Sequence, residues 1–140
     1  MAKIMVIAGG AWQCPLVRKA KEMGHYVICS NLYSDSPAFE YADIGVVANV
    51  LDKAKNLELA EKYNPDAIVT DQSDIAIPTV AYISDKLGLK GIGTETAERF
   101  TNKFKMREYA SKVGIAIPRY RLCHTVSDAI DFLSDTPISI

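Results

Sequence analysis

Two short segments of the sequence carry residue types that could bind a ligand, and each follows an apolar run. Gly9 and Gly10 come directly after the run at residues 3–8 and before a helical pattern. Small residues at such a point let a ligand approach backbone N–H groups and the positive end of the following helix. The pair indicates either a tight structural turn or a loop that faces a small anion or a substrate, and the sequence leaves both open.

The second segment, Asp71-Gln72-Ser73-Asp74, follows the apolar run at residues 67–70 and is unusually polar for a simple connection. In open parallel sheets, ligands sit at the carboxyl ends of the strands. Gln72, Ser73 and Asp74 are therefore candidate substrate contacts. The competing interpretation is that Ser73 or Asp74 only caps the helix that follows.

Other site types are not indicated. No dinucleotide fingerprint follows Gly9, because bulky Trp12 stands where further glycines are required, and there is no phosphate-binding Walker sequence. The two histidines are isolated, and the three cysteines share no close spacing, so we expect reduced thiols rather than a metal or disulfide framework. The sequence predicts no catalytic residue and no metal ligand within this chain.

The elements that would position these segments alternate between strands and helices. Strands are predicted at residues 3–8, 26–30, 44–48 and 67–70, an extended segment at 91–93, and helices at 12–23, 52–63 and 75–87. This rhythm predicts an α/β fold, a Rossmann-like open and mainly parallel sheet with helices on both faces. We assign it to a first domain at residues 1–93.

Residues 94–140 have a different pattern of predicted elements. The pattern predicts a long helix over 94–113, broken near Thr101-Asn102, a strand at 119–123, a helix at 126–134 and a strand that begins at 137. Because the last strand stops after four residues, we expect a truncated piece of a second domain. Apolar strand ends of this kind recruit partners, so a homodimer is a possible consequence.

The amino-acid composition argues against two classes of partner, nucleic acids and membranes. The chain has 140 residues, is 49% hydrophobic and has a formal net charge of −1. It lacks the basic surplus of a nucleic-acid binder, so no nucleic-acid partner is expected. No apolar run is long enough to cross a bilayer, and the start has no signal-peptide pattern, so we expect a cytoplasmic protein without a membrane partner.

The segment at residues 94–120 carries a resemblance. Its order of Ala97, the pair Asn102-Lys103, Met106 and the run Gly114-Ile-Ala-Ile-Pro118 is similar to the linker of the ATP-grasp superfamily, which joins the pre-ATP-grasp domain to the ATP-binding domain. Biotin carboxylases, the carbamoyl phosphate synthetase large chain and purine-biosynthetic carboxylases and formyltransferases have this arrangement. The similarity extends over essentially the whole chain.

The resemblance implies a role for Lys103, which occupies the basic position of the family's Asp-Lys or Asp-Arg pair and would contact an ATP phosphate. Here Asn102 stands where the family usually has Asp. It also implies an ATP-dependent carboxylate-amine or ammonia ligase, similar to carbamoyl phosphate synthetase, that acts through an acyl phosphate with ATP and Mg²⁺ as cofactors. The magnesium ligands would lie beyond this chain, so we expect the chain by itself to be inactive.

Two other functions stay open from the residues alone. The chain could be a stand-alone Rossmann-type module that binds a nucleotide or another small ligand at the glycine loop. It could also be an oligomerisation domain without catalysis. Tight ligand binding by the isolated chain would favour the first, and a concentration-dependent mass without a ligand response would favour the second.

Overall fold

A computed structural model describes residues 1–135 of the chain. It contains two compact units, one from Met1 to Thr101 and one that begins at Asn102. Each unit is described by itself. No helix in the described part is long and apolar enough to cross a membrane.

The first unit is built on four parallel strands. They are β1 (Lys3–Ile7), β2 (Tyr26–Asn31), β3 (Ile44–Val47) and β4 (Ala67–Val69). Their order across the sheet is β3-β2-β1-β4, so β1 pairs with β2 on one side and with β4 on the other. The predicted parallel α/β sheet is confirmed.

Helices cover both faces of this sheet because the strands alternate apolar side chains between the two sides. Met5 and Ile7 of β1 belong to a core that includes Leu59 of α2 (Lys53–Tyr63) and Ile83 of α3 (Ile77–Leu87). On the opposite face, a second core contains Val6 of β1 and two residues of α1 (Cys14–Glu22), namely Val17 and Ala20. Burying each large aliphatic side chain contributes about 1.5–3 kcal/mol, and this two-sided burial holds the layers together.

The helix ends follow the sequence signals. Asp52 caps α2 by accepting a hydrogen bond from the Lys55 backbone N–H at 2.9 Å. Gly24 and Gly88 follow α1 and α3 with positive φ angles of 78° and 65°, where a side chain would be strained. Pro78 lies in the first turn of α3, where its missing N–H costs least.

The predicted break in the long helix is also confirmed. It separates α4 (Thr94–Thr101), which packs on α3 in the first unit, from α5 (Lys103–Lys112) in the second. Asn102 lies between them with an extended backbone, and its side chain accepts hydrogen bonds from the N–H groups of Phe104 and Lys105. Asn is a strong N-cap, and this pair of bonds starts a new helix where the old one ends.

The second unit departs from the sequence-based expectation at one point. The strand predicted for residues 119–123 is wrong, because this segment has no regular secondary structure. Strand geometry needs a neighbouring strand to take up its N–H and C=O groups, and the described part of this unit contains none. The strand predicted from residue 137 lies outside the described residues.

Helix α6 (Val126–Ser134) follows as predicted. Thr125 and Asp128 form a capping box, in which the Thr125 hydroxyl accepts from the Asp128 N–H at 3.1 Å and the Asp128 carboxylate accepts from the Thr125 N–H at 2.9 Å. The helix turns an apolar stripe to solvent, and its three members, Val126, Ile130 and Leu133, are each more than half exposed.

Candidate functional site

The strand order creates a topological switch point beside β1. The chain steps from β1 to β2 to β3 in one direction and then returns to place β4 on the other side of β1. The loops that follow β1 and β4 therefore leave adjacent strands at the same edge of the sheet. Residues 8–13 and 70–74 form this edge, which we call the switch-point edge. It brings together the two segments that the sequence singled out, Gly9-Gly10 and Gln72-Ser73-Asp74.

Gly9 is buried, and close packing explains why glycine stands there. A Cβ atom added to Gly9 would lie 2.8 Å from Cys29 Sγ and 3.3 Å from Asn31 Cβ. Its carbonyl oxygen accepts a hydrogen bond from the Ala38 N–H at 3.1 Å. Gly9 thus fixes the glycine loop against β2 and the segment after it.

Gly10 is partly buried and ends the loop at the N-cap of a helical turn. The turn, Ala11–Gln13, runs directly into α1. The Gly10 N–H donates to Gln13 Oε1 at 3.0 Å, so this donor is already paired. The next two N–H groups, those of Ala11 and Trp12, open the helical run and have no acceptor within it. The start of the helical run therefore has two backbone donors that the helix itself does not pair.

Gln13 joins the two loops. Its Nε2 donates to the Asp71 carbonyl oxygen at 2.6 Å, while its Oε1 accepts from Gly10. The side chain is only 5% exposed. One amide therefore spans the switch point from the loop after β1 to the loop after β4.

The loop after β4 presents polar side chains to solvent. Thr70 Oγ1 donates to the Ile7 carbonyl oxygen at 2.6 Å and fastens the start of this loop to β1. Asp71, Gln72 and Asp74 are exposed. Ser73 stands at the N-cap position of the next turn, but its side chain makes no capping hydrogen bond. The capping interpretation of Ser73 therefore gains no support from its hydroxyl.

Two residues at this edge have backbones in the left-handed region, which favours glycine. They are Ala8, with a φ of 83°, and Gln72, with a φ of 51°. In the part of the chain that the structure describes, Asn64 at the end of α2 is the one other non-glycine residue of this kind. Such conformations cost about 1–3 kcal/mol each and occur often at binding sites.

The thiol behind the glycine loop is neutral. Burial, and to a lesser degree the nearby Cys14, raises the pKa of Cys29 to about 12. Its Sγ lies 3.6 Å from the Ala8 carbonyl oxygen, to which the S–H donates. No negative charge from this cysteine therefore opposes an anion at the loop.

One aromatic residue stands at the edge itself. Trp12 follows the glycine pair and is 73% exposed. It is also the chain's single tryptophan. Its indole is therefore a fluorescent reporter located where the two candidate loops meet.

Lys103 belongs to the second unit, where it is the first residue of α5 and exposed. Among the described residues, no salt bridge involves its ammonium group. The Asn102 cap preceding it does the structural work that an Asp would do.

A magnesium site does not emerge from the described residues. Within residues 1–135, no three His, Cys, Asp or Glu side chains come close enough to hold a metal ion. A cavity of about 470 Å³ lies at the amino ends of β1 and β2, between Lys3, Tyr26, Tyr63 and Asp66. It is at the opposite end of the strands from the switch-point edge, away from the carboxyl ends where ligands bind in such sheets.

Sequence reasoning missed Gln13 and Ala8. In the sequence, Gln13 resembles any polar residue at the start of a helix, and only the structure shows that it is buried with both ends of its amide paired. The signal that could have found it is its position three residues after Gly10, since an N3 Gln often bonds back to the N-cap N–H. Nothing in the sequence marks the positive φ of Ala8.

Comparison with known proteins gives a consistent result. No family model matches the chain. Formate-dependent phosphoribosylglycinamide formyltransferase of Chlorobium phaeobacteroides is 33% identical over 121 residues, which cover 85% of this chain and 31% of that protein.

Two solved structures share the fold of this chain over most of its length. N5-carboxyaminoimidazole ribonucleotide synthetase from Thermotoga maritima superposes with a TM-score of 0.75 at 29% identity, over 95% of this chain and 36% of that one. The Staphylococcus aureus N5-carboxyaminoimidazole synthetase, complexed with ADP, superposes with a TM-score of 0.78 at 18% identity, over 95% of this chain and 35% of that one. The chain thus spans about a third of the length of the proteins that it matches.

Proposed function

We propose that this chain, which belongs to the ATP-grasp superfamily, is the N-terminal part of an ATP-dependent ligase that activates a carboxylate as an acyl phosphate and transfers the acyl group to a nitrogen nucleophile. The observation that carries the proposal is a match over 85% of the chain to a third of a formyltransferase, with the same fold in two synthetases. In this proposal the chain supplies the acceptor-binding sheet edge and one phosphate contact for ATP.

The acceptor that we favour is a phosphorylated ribose that carries the nucleophilic nitrogen. The support comes from the relatives: the formyltransferase and the Thermotoga maritima synthetase are both named after a nitrogen-bearing ribose phosphate compound. The comparison with carbamoyl phosphate synthetase made from the sequence stays a prediction. We prefer the ribose phosphate because the relatives' names point to it.

The switch-point edge offers groups that suit both ends of such a molecule. The N–H groups of Ala11 and Trp12, which open the helical run into α1, suit the phosphate. The exposed carboxylates of Asp71 and Asp74 suit ribose hydroxyls or an amine, to which they accept hydrogen bonds, and they would repel a phosphate. In this proposal the loop after β1, which we call the anion-binding loop, holds the phosphate. The loop after β4, which we call the donor-binding loop, holds the ribose hydroxyls or the amine.

The fit to the nucleotide is partial. Lys103 is an exposed, compact positive charge and would contact an ATP phosphate. When bound, ATP and Mg²⁺ supply the phosphoryl group and the charge neutralisation that acyl phosphate formation needs. The described residues contain no set that fits Mg²⁺, so its ligands are proposed to come from outside them.

Trp12 makes the acceptor proposal testable. The chain is titrated with ribose 5-phosphate while the emission of its single tryptophan is recorded, and ribose and inorganic phosphate are titrated in parallel. We expect a saturable change with a Kd below about 1 mM, equivalent to about 4 kcal/mol, and weaker responses to either half of the ligand. Asp74→Asn should weaken binding several-fold, whereas the matched exposed change Glu61→Gln on α2 should not. No saturable change at ten times that concentration would count against the proposed acceptor.

A further inference from the structure

Gln13 combines near-complete burial with two hydrogen bonds to different loops. Its amide accepts from the Gly10 N–H at 3.0 Å and donates to the Asp71 carbonyl oxygen at 2.6 Å. The two partners are 61 positions apart in the sequence and are brought together by the pairing of β1 with β4. A neutral amide is suited to this place because it offers an acceptor and a donor from one planar group.

Both loops need such a tie. Ala8 and Gln72 have left-handed backbone conformations, which persist only when the surrounding structure holds them in place. Thr70 Oγ1 fastens the start of the loop after β4 to Ile7, the last residue of β1, but this bond lies before Asp71 and Gln72. The Gln13 amide bonds the two loops themselves. It bonds to Asp71, one residue before Gln72, and to Gly10, two residues after Ala8.

We infer that Gln13 is a positioning residue for the acceptor: it sets the separation and orientation of the anion-binding loop and the donor-binding loop so that one ligand can reach both. This inference rests on the proposed function. Gln13 faces inward, so it acts through Gly10 and Asp71 and does not touch the ligand.

Two substitutions separate hydrogen bonding from packing. Gln13→Met keeps a long unbranched side chain but removes the donor and the acceptor. Gln13→Glu keeps the shape and the acceptor. In its protonated form the introduced carboxyl group can also donate to the Asp71 carbonyl oxygen, and in its ionised form it sets a negative charge against that oxygen.

The second variant gives a readout that a packing role would not produce. Burial and the facing carbonyl oxygen disfavour the charged form, so the pKa of the introduced carboxyl group is raised. The bridge is therefore present below that pKa and is lost as the pH rises through it. The wild-type chain is measured at every pH, because the phosphate of the ligand itself titrates near pH 6.

We expect Gln13→Met to weaken ribose 5-phosphate binding by about tenfold or more at a temperature where the variant is fully folded. We expect Gln13→Glu to bind within about twofold of the wild type at pH 5 and about tenfold more weakly at pH 8. The affinity is read from Trp12 emission, and folding is checked at each pH by far-ultraviolet circular dichroism. Wild-type affinity for both variants at pH 8 would overturn the inference.

A ligand-independent measurement separates this inference from the proposed acceptor. Amide hydrogen exchange is followed at Gly10 and at residues 71–74 in the wild type and in Gln13→Met. Faster exchange in both loops together, with unchanged exchange in α2, supports the tie even if ribose 5-phosphate fails to bind the wild type. Unchanged exchange in either loop contradicts it.

Discussion

The close approach at Gly9 predicts a large stability loss for Gly9→Ala. The added methyl group would meet Cys29 Sγ at 2.8 Å, a distance that side chains essentially never show. Cys29 is fully buried between the sheet and α1, so its sulfur has little room to retreat. Overpacking of this kind costs about 1–3 kcal/mol.

A smaller gain offsets part of that cost. Replacing Gly by Ala restricts the unfolded chain and stabilises the folded state by about 0.4–1 kcal/mol where the backbone angles suit alanine. Because the contact is with a fully buried sulfur, we expect an overpacking cost in the upper part of its range, about 2–3 kcal/mol, and a net destabilisation of about 1–2.6 kcal/mol. For a unit of roughly 100 residues, this corresponds to a fall in Tm of about 4–8 °C for each kcal/mol.

The neighbouring glycine is a matched control. A Cβ on Gly10 would meet only Gln13 Oε1, at 3.2 Å, and the φ of Gly10 is −71°, which alanine adopts freely. Gly10→Ala should cost less than about 1 kcal/mol. Both variants are measured by urea unfolding, followed by circular dichroism.

A double-mutant cycle identifies the cause. Cys29→Ala removes the sulfur and should cost about 1 kcal/mol through lost packing. In the double variant the new methyl group enters the vacated space, so the combined loss should be smaller than the sum by about 1 kcal/mol. Additive losses, or a Gly9→Ala chain as stable as the wild type, would refute the reasoning from close approach.

Three further predictions concern charge and reactivity. The 140-residue chain should bind magnesium ATP weakly, since Lys103 is its one predicted phosphate contact; micromolar, magnesium-dependent binding in calorimetry, about 8 kcal/mol, would contradict this. A hydrogen bond from Lys21, with another from the Val27 N–H, lowers the pKa of Asp43, so Asp43→Asn should lose up to about 1 kcal/mol at pH 7. That loss should vanish as the pH falls below about 4 through the lowered pKa; a difference between the two chains that persists in acid would contradict it. Because its pKa is raised to about 12, Cys29 should be the slowest of the three thiols to react with a disulfide reagent at pH 8, and equally rapid modification of all three would contradict its burial behind the glycine loop.

The sheet and most helix ends were predictable from the sequence because local chemistry decides them. Gly24 and Gly88 mark left-handed ends, Asp52 and Thr125 mark beginnings, and the apolar runs are short and well separated. The break at Asn102 was visible for the same reason, since an Asn side chain caps the helix that it starts.

The prediction failed where neighbours decide the outcome. Residues 119–123 have strand propensity, but propensity describes fit to a pleated surface, and the described part of the second unit offers no such surface. Propensity alone could not reveal this.

The site was predictable in part. Gly9, Gly10 and Gln72 to Asp74 could be assigned to one sheet edge because carboxyl ends of parallel strands meet there. The link through Gln13 could not, because it depends on which loops become neighbours after β4 crosses to the far side of β1. The roles proposed for Lys103 and the loop residues stay predictions.

The central place of β1 has a consequence for how the protein is made. During synthesis β2 follows β1 closely, whereas Ala67, the partner of Ile4 on the other side, leaves the ribosome 63 residues later. At about 5–20 residues per second, the second edge of β1 waits several seconds for its partner. Throughout that interval the nascent chain carries an unpaired apolar strand edge, which is a binding surface for chaperones and a starting point for aggregation. Substitutions that weaken the pairing of β4 should prolong this exposure. We therefore expect them to lower the yield of folded protein in cells even where the free energy of unfolding of the purified variant changes little.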